Sequence, residues 1–332
     1  MKIAVVGAGS WGTTLADLLA RNGHDVRLWA REPEVVASIN QRRENELFLP
    51  GAPLADRLEA RSTVAEAVRE AELVVSAPPS YAVRDLAAEI AGGVDGHRVT
   101  VASVSKGLEP RTHLLLSDVL AGALPGCPIV ALSGPTFARE VYQHHPSALV
   151  AASRDRDAAE RVQEVFSNGY FRVYTSDDVV GVQLGGALKN VIAVAAGILV
   201  GLELGHNSQA ALITRGLAEM ARLGTKMGAD PLTFAGLAGL GDLVLTATGE
   251  LSRNRSLGIE LGQGRALNDI LAERRTVAEG VNTVRAAVEL AEREGVELPI
   301  AREVQCILFE GKDPRQAVSA LMERALKPEL WR

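Results

Sequence analysis

Four groups of residues in this chain have the types and spacing for chemistry. The first is Lys189 with Asn190, set inside an otherwise apolar stretch at 184–202, LGGALKNVIAVAAGILVGL. A lysine there is either a helix-edge side chain with its head in water, or a buried amine that is paired, has a lowered pKa, or both. In the second case it can serve as a general base near neutral pH. On its own the stretch favours the first reading. The second group is Gly7, Gly9 and Gly12, G-x-G-x-x-G directly after the apolar run KIAVV and before a helical pattern. In that context the first glycine permits a tight turn, the second lets backbone approach a pyrophosphate, and the third allows close helix–strand packing. The helix N-terminus then offers N–H groups to phosphate. The alternative is a glycine turn with no ligand.

The third group lies at the ends of later apolar runs. Ser105-Lys106-Gly107 follows 99–103, and Ser133-Gly134-Pro135-Thr136 follows 129–132. In an open α/β sheet both belong on the ligand side. Equally, Lys106 can be a surface lysine and Gly134-Pro135 a turn. The fourth is Ser252-Arg253-Asn254, beyond the glycine-rich 236–242. Its guanidinium fork with hydroxyl and amide donors suits a phosphate, but Ser252 can as well be a helix N-cap. Asp242 can cap a helix or pair with Lys189. Arg31-Glu32 ends the second apolar run. Arg31 would accept a ribose 2′-phosphate and leans towards NADP, whereas Glu32 keeps NAD open.

The elements that would position these groups alternate strand and helix up to about residue 176. Runs at 2–6, 26–30, 73–77, 99–103, 129–132, 148–152 and 171–175 read as buried strands. Helical patterns at 13–22, 33–42, 81–91, 112–120 and 157–166 lie between them. Such alternation predicts a Rossmann-type, doubly wound, mainly parallel sheet. From 179 onward only helices are legible, at 213–227, 268–273, 281–294, 300–310 and 314–324. The expectation is an α/β dinucleotide domain over 1–180 and an all-α substrate and catalytic domain over 181–332. The lysine stretch would then open the second domain beside the carboxyl ends of the strands.

Composition fits a two-domain globular chain: 332 residues, 47% hydrophobic, 23% charged. A net charge of −6 gives no footprint for nucleic acid. Cys127 and Cys306 have neither disulfide-framework nor metal-ligand spacing, so no metal is expected. The N-terminus runs straight into the strand–glycine pattern and does not read as a signal peptide. The apolar run after Asn190 stops at Glu203, too short to span a bilayer. A cytoplasmic protein is expected.

Eight ordered motifs carry a resemblance over nearly the whole length. They are GAGSWG (7–12), VSKGLEP (104–110), LSGPTFARE (132–140), GGALKNVIAVAAG (185–197), ALITRGLAEMARLGTKMGA (211–229), GLAGLGDL (236–243), SRN (252–254) and VAEGVNT (277–283). The chain resembles the bacterial NAD(P)-dependent sn-glycerol-3-phosphate dehydrogenases. The resemblance implies reduction of dihydroxyacetone phosphate to sn-glycerol 3-phosphate by NADPH or NADH, for phospholipid synthesis. It implies Lys189 as catalytic acid/base. Lys106, Gly134, Thr136, Lys189, Asp242, Ser252, Arg253 and Asn254 would line the substrate site. Ser10, Trp11, Arg31, Lys106, Ala138, Arg253, Val277 and Glu279 would join the glycines at the dinucleotide. Two departures stand out: Thr136 where many members have Ser, and Arg31-Glu32 where a basic pair is common. The competing classes are a β-hydroxyacid or 6-phosphogluconate-type dehydrogenase and a dinucleotide sensor without chemistry. A homodimer is compatible with the sequence, which does not set the oligomeric state.

Overall fold

The structure is a computed structural model that describes residues 1–94, 99–274, 278–326 and 328–329. Its N-terminal half is built on an eight-stranded sheet of β1 (Lys2–Val6), β2 (Asp25–Trp29), β3 (Leu58–Arg61), β4 (Leu73–Ser76), β5 (Thr100–Ser103), β6 (Ile129–Ser133), β7 (Ser147–Ala152) and β8 (Phe171–Ser176). Their spatial order is β8-β7-β6-β5-β4-β1-β2-β3. All pairs are parallel except β6–β7, which is antiparallel. Central strands such as β4 and β5 are buried at every position, as apolar runs covered by helices on both faces must be. One face packs on Leu15, Leu19, Leu28 and Phe166, the other on Val83, Ile90, Val101 and Leu120. The α/β reading therefore holds. The strand order reverses between β1 and β4, which makes the gap beyond their carboxyl ends the ligand crevice of this topology.

Three segments differ from the sequence pattern. β3 is a short edge strand, and Glu44–Asn45 pairs with Leu49–Pro53 in a separate two-stranded sheet. Four alternating residues and a stretch holding two prolines give too weak a periodic signal to read. The helix expected from 112 starts at Leu116 instead. Residues 108–115 fold back on themselves through a Leu108–Leu115 bridge and a Glu109 N–H to Leu114 carbonyl bond of 3.0 Å. That fold-back lets Leu108 and Leu115 enter the hydrophobic core of the helical half.

From Val179 onward the described residues contain no strand. Six helices matter below: α1 (Ser10–Arg21), α2 (Val179–Gly201), α3 (His206–Lys226), α4 (Asp242–Thr248), α5 (Arg253–Gly262) and α6 (Glu279–Glu294). The centre is α2, started by Asp178, whose carboxylate accepts the Gly181 N–H at 2.8 Å. It has 23 residues and a mean hydropathy of 1.7 in its most apolar window, long and apolar enough to cross a membrane by length and composition. That window is 89% buried in the protein, so the apolar circumference is satisfied by neighbouring helices instead. The closest neighbour is α5. Gly197 and Gly201 of α2 meet Gly258 and Gly262 of α5, and a Cβ on any of the four would overlap backbone of the other helix. This glycine-on-glycine crossing brings Arg253 and Asn254, at the start of α5, towards Lys189 and Asn190 on α2.

Candidate active site

The glycine turn has the geometry its spacing predicts. Gly7 has φ +119°, and a Cβ there would lie 2.9 Å from the Ala77 backbone beyond β4. At Gly12 a Cβ would overlap the Gly7 carbonyl. At Gly9 it would meet nothing within 4 Å. The first and third glycines thus close the turn, while the second leaves room. Gly9 is also the N-cap of α1 and supplies no side-chain cap. First-turn N–H groups beside open space, at the switch point of the sheet, fit a dinucleotide diphosphate. Asn45, which sequence reasoning passed over, braces the turn. Fully buried, it donates to the Ala8 carbonyl at 2.9 Å and to Thr13 Oγ1 at 2.8 Å. The Ser10 hydroxyl is taken by the Phe48 carbonyl at 2.6 Å, so it is the backbone at Ser10 that faces the crevice. Trp11 packs against the apolar face of the sheet. Ala138 is tied to α1 by a 3.3 Å bond from Thr14 Oγ1.

The lysine stands on the wall between the two halves. Around it α2 is pressed close on two sides: a Cβ at Gly185 would overlap the Ala238 carbonyl, and one at Gly186 would overlap Ser133 Oγ. Lys189 is 6% exposed. Its ammonium donates to Asp242 Oδ1 and to Thr246 Oγ1, both at 2.7 Å. Asp242 is fully buried and accepts a second ammonium, Lys106 Nζ, on Oδ2 at 2.7 Å. The two lysines therefore share one carboxylate, one oxygen each. Asp242 reaches them because the chain before it makes a wide turn, in which the Gly241 N–H bonds back five residues to Gly236 O at 3.1 Å. Such single π-type turns recur at functional sites. Thr246 was missed in the sequence; its signal is its place four residues after Asp242 on one helix face.

Burial lowers the Lys189 pKa to about 8, opposed by the charge of Asp242 and aided by Lys106 and Arg253. An ammonium has three N–H donors. Two are spent on Asp242 and Thr246, and one is uncommitted.

The remaining predicted residues divide. Lys106 also donates to the Gly134 carbonyl at 2.8 Å, which Thr136 Oγ1 approaches at 3.3 Å. Gly134 has φ +152°, and a Cβ would lie 2.7 Å from Leu149 Cα, so only glycine fits that corner. Asn254 is buried, donating to Asn190 Oδ1 at 2.9 Å and accepting the Gly280 N–H at 2.9 Å. It ties α2, α5 and α6 together. Arg253 is exposed to the cleft, and its guanidinium makes no hydrogen bond among the described residues. The surrounding walls cost it hydration and lower its pKa, with Glu279 opposing. Glu279 accepts Ser80 Oγ–H at 2.7 Å and Ser80 N–H at 3.3 Å, joining α6 to the loop after β4. The Ser252 hydroxyl caps α5, accepting the Arg255 N–H at 3.2 Å, and its own O–H is left to donate. Arg31 is paired with Glu32 at the end of β2, outside the lysine cluster. Val277 lies outside the described residues.

Lys106 and Lys189 thus share the Asp242 carboxylate, and Arg253 adds a further positive charge near Lys189 with Glu279 beside it, in a cleft next to a dinucleotide turn. That arrangement suits a small phosphorylated substrate whose oxygen takes up a proton.

Two family models cover most of the chain. The N-terminal model of NAD-dependent glycerol-3-phosphate dehydrogenase matches residues 2–159, and the C-terminal model matches 178–319. A glycerol-3-phosphate dehydrogenase (NAD(P)+) of Geobacter metallireducens is 55% identical over 333 residues, covering 99% of this chain and 98% of that protein. The crystal structure of glycerol-3-phosphate dehydrogenase from Coxiella burnetii superposes with a TM-score of 0.94 at 39% identity, over 97% of this chain and 98% of that one. The yeast Saccharomyces cerevisiae enzyme superposes at 0.83 with 29% identity, over 97% and 99%. The chain belongs to the NAD-dependent glycerol-3-phosphate dehydrogenase family.

Proposed function

We propose that this protein reduces dihydroxyacetone phosphate to sn-glycerol 3-phosphate, reversibly, with NADPH or NADH, and so supplies glycerophospholipid synthesis. The observation that carries the reading is the uncommitted third N–H of Lys189, held in a buried cluster beside a dinucleotide turn. Gly7, Gly9, Ser10 and Gly12 would hold the diphosphate through backbone. When bound, the dihydronicotinamide supplies the hydride for the carbonyl carbon. Lys189 gives its free proton to the carbonyl oxygen and becomes a neutral amine; in the oxidative direction that amine takes the hydroxyl proton. Asp242 and Thr246 fix the ammonium so that one N–H points away from them. Asp242 also keeps Lys189 protonated near neutral pH against the pull of burial. Arg253 and Lys106 supply charge for the phosphate, whose binding energy orients the reacting carbon. Asn254 holds Arg253 and Lys189 in fixed relation by bonding Asn190.

Initial rates with dihydroxyacetone phosphate and each nucleotide test this directly. Lys189→Ala should abolish turnover while leaving nucleotide affinity nearly unchanged. Turnover of 3-hydroxyisobutyrate with none of the ketone phosphate would favour a β-hydroxyacid dehydrogenase instead. Nucleotide binding without any ketone-phosphate reduction would favour a sensor. The reading extends to a cytoplasmic enzyme acting as a homodimer, which cell fractionation and light scattering on purified protein check.

A further inference from the structure

The glycines that let the nucleotide turn approach a diphosphate also leave one of its peptides easy to turn over. The Ala8–Gly9 peptide is trans, so its C=O and N–H point in opposite directions. One side of this unit is a donor and the other an acceptor, and an anion tolerates only the donor. Reversing the peptide would take the φ of Gly9 from −65° to a positive value, which glycine accepts at little cost. In the structure the choice is fixed from outside the motif. The Ala8 carbonyl accepts two hydrogen bonds, from Asn45 Nδ2 at 2.9 Å and from Thr13 Oγ1 at 3.1 Å. Asn45 Nδ2 gives its second hydrogen to Thr13 Oγ1 at 2.8 Å, and Asn45 Oδ1 accepts the Phe48 N–H at 3.1 Å. The side chain is fully buried, with both amide hydrogens and the oxygen engaged. Three residues on, the Phe48 carbonyl takes the Ser10 hydroxyl at 2.6 Å. The segment 45–48 thus draws the Ala8 carbonyl and the Ser10 hydroxyl away from the crevice. The N–H groups of Gly9, Ser10 and Trp11 make no hydrogen bond among the described residues.

We propose that Asn45 is a positioning residue for nucleotide binding: it locks the Ala8–Gly9 peptide with its carbonyl inward, so that the turn presents only N–H donors to the diphosphate. The proposal rests on the dinucleotide site assigned above and adds to it a residue from outside the glycine motif. Asn45 acts through Ala8 and touches no ligand itself. Its residue type suits the task, because one side chain must donate to Ala8 and accept from Phe48 at once. Without Asn45 the Ala8 carbonyl keeps only the longer of its two bonds. The Thr13 hydroxyl is then free to turn to the Gly9 carbonyl four residues back, as threonine in a helix does. A reversed peptide would set a carbonyl oxygen against the phosphate oxygens and take one donor from them.

The test is direct binding of NADH, NADPH and ADP-ribose to the full-length protein without substrate, read by calorimetry. ADP-ribose keeps the diphosphate and lacks the nicotinamide. Asn45→Leu, of similar volume, should weaken all three ligands by about tenfold or more, the loss expected when a buried acceptor is left without its donor. At saturating nucleotide, kcat and the KM for dihydroxyacetone phosphate should change by under about threefold, a split that general loosening of the protein would not give. Thr13→Val removes the second donor to Ala8 and should weaken the same ligands by about threefold; if Asn45→Leu does not fold, this variant decides alone. Tyr142→Phe removes a bond that ties the same two-stranded arm at the Pro53 carbonyl, at 2.9 Å, and should leave all three affinities unchanged. Unchanged affinities in the Asn45 and Thr13 variants overturn the proposal. An equal loss in Tyr142→Phe, or a loss for NADH that ADP-ribose does not share, overturns it as well. Failure of wild type to bind either nucleotide overturns the dinucleotide site itself and the proposal with it.

Discussion

Replacing Asp242 with Asn tests the logic of the lysine cluster. The change keeps shape and removes one charge. The wild-type carboxylate gives one oxygen to each ammonium, at 2.7 Å in both cases. An amide has only one acceptor oxygen, so one lysine faces an N–H₂ group instead. Two unit charges about 4 Å apart at an effective dielectric of about 20 interact by about 4 kcal/mol. One pH unit corresponds to about 1.4 kcal/mol, so losing the attraction lowers the Lys189 midpoint by about 3 pH units. In wild type the midpoint is at about 8. Lys189 is then mostly ammonium at neutral pH, and ketone reduction falls about tenfold per pH unit above the midpoint. In Asp242→Asn the alkaline limb should move to about pH 5. Reduction near pH 7 should drop about a hundredfold and recover as the pH is lowered. Breaking a buried pair costs about 3–5 kcal/mol of stability, so circular dichroism with nucleotide present should accompany the pH–rate profile. An alkaline limb that stays near pH 8, or a loss equal at every pH, would refute the assignment of Asp242 as the group that keeps Lys189 charged.

Three further outcomes follow from the same geometry. Arg253→Ala should raise KM for the phosphorylated ketone about 10- to 100-fold with a smaller change in kcat, the loss expected for a charged hydrogen bond; an unchanged KM moves the phosphate elsewhere. Gly258→Ala should lower Tm despite the gain in helix propensity of about 1 kcal/mol, because its Cβ overlaps the Val194 carbonyl. Gly92→Ala, where a Cβ meets nothing within 4 Å, should raise Tm, and equal signs for the two would discount the helix crossing. Glu219 is buried under the N-terminus of the helix Pro299–Phe309, accepting the Ile300 N–H at 2.8 Å. Burial raises its pKa to about 7. A raised carboxyl contributes stability below its unfolded pKa and loses it as pH rises through the folded value. Glu219→Gln should therefore flatten the fall in urea stability between about pH 4.5 and 7, by at most about 3 kcal/mol; identical pH slopes would contradict it.

The sequence determined the elements whose signals are local. Apolar runs buried on both faces give strands without reference to partners, and the strand–glycine–helix order marks the nucleotide turn before any neighbour is known. Gly7, Gly9 and Gly12 could be read because their spacing is a constraint of one turn. Lys189 stood out because a charge in an apolar helix is anomalous wherever that helix lies. Its burial could not be read there, since a snorkelling lysine and a buried one share the same local sequence. Only the tertiary structure decided that, by placing Asp242 and Thr246, 53 and 57 residues away in the chain, against its amine. The same holds for Asn45, buried against the glycine turn from a segment with no periodic signal, and for the cap that Ser252 gives the Arg255 N–H. Arg31-Glu32 is the remaining case. Composition counts one charge of each sign, but only the direction in which the Glu32 carboxylate turns shows that the arginine is already engaged. Local periodicity fixes elements because it reports each residue's own burial, whereas hydrogen-bond partners are chosen by the packing of helices and strands distant in sequence.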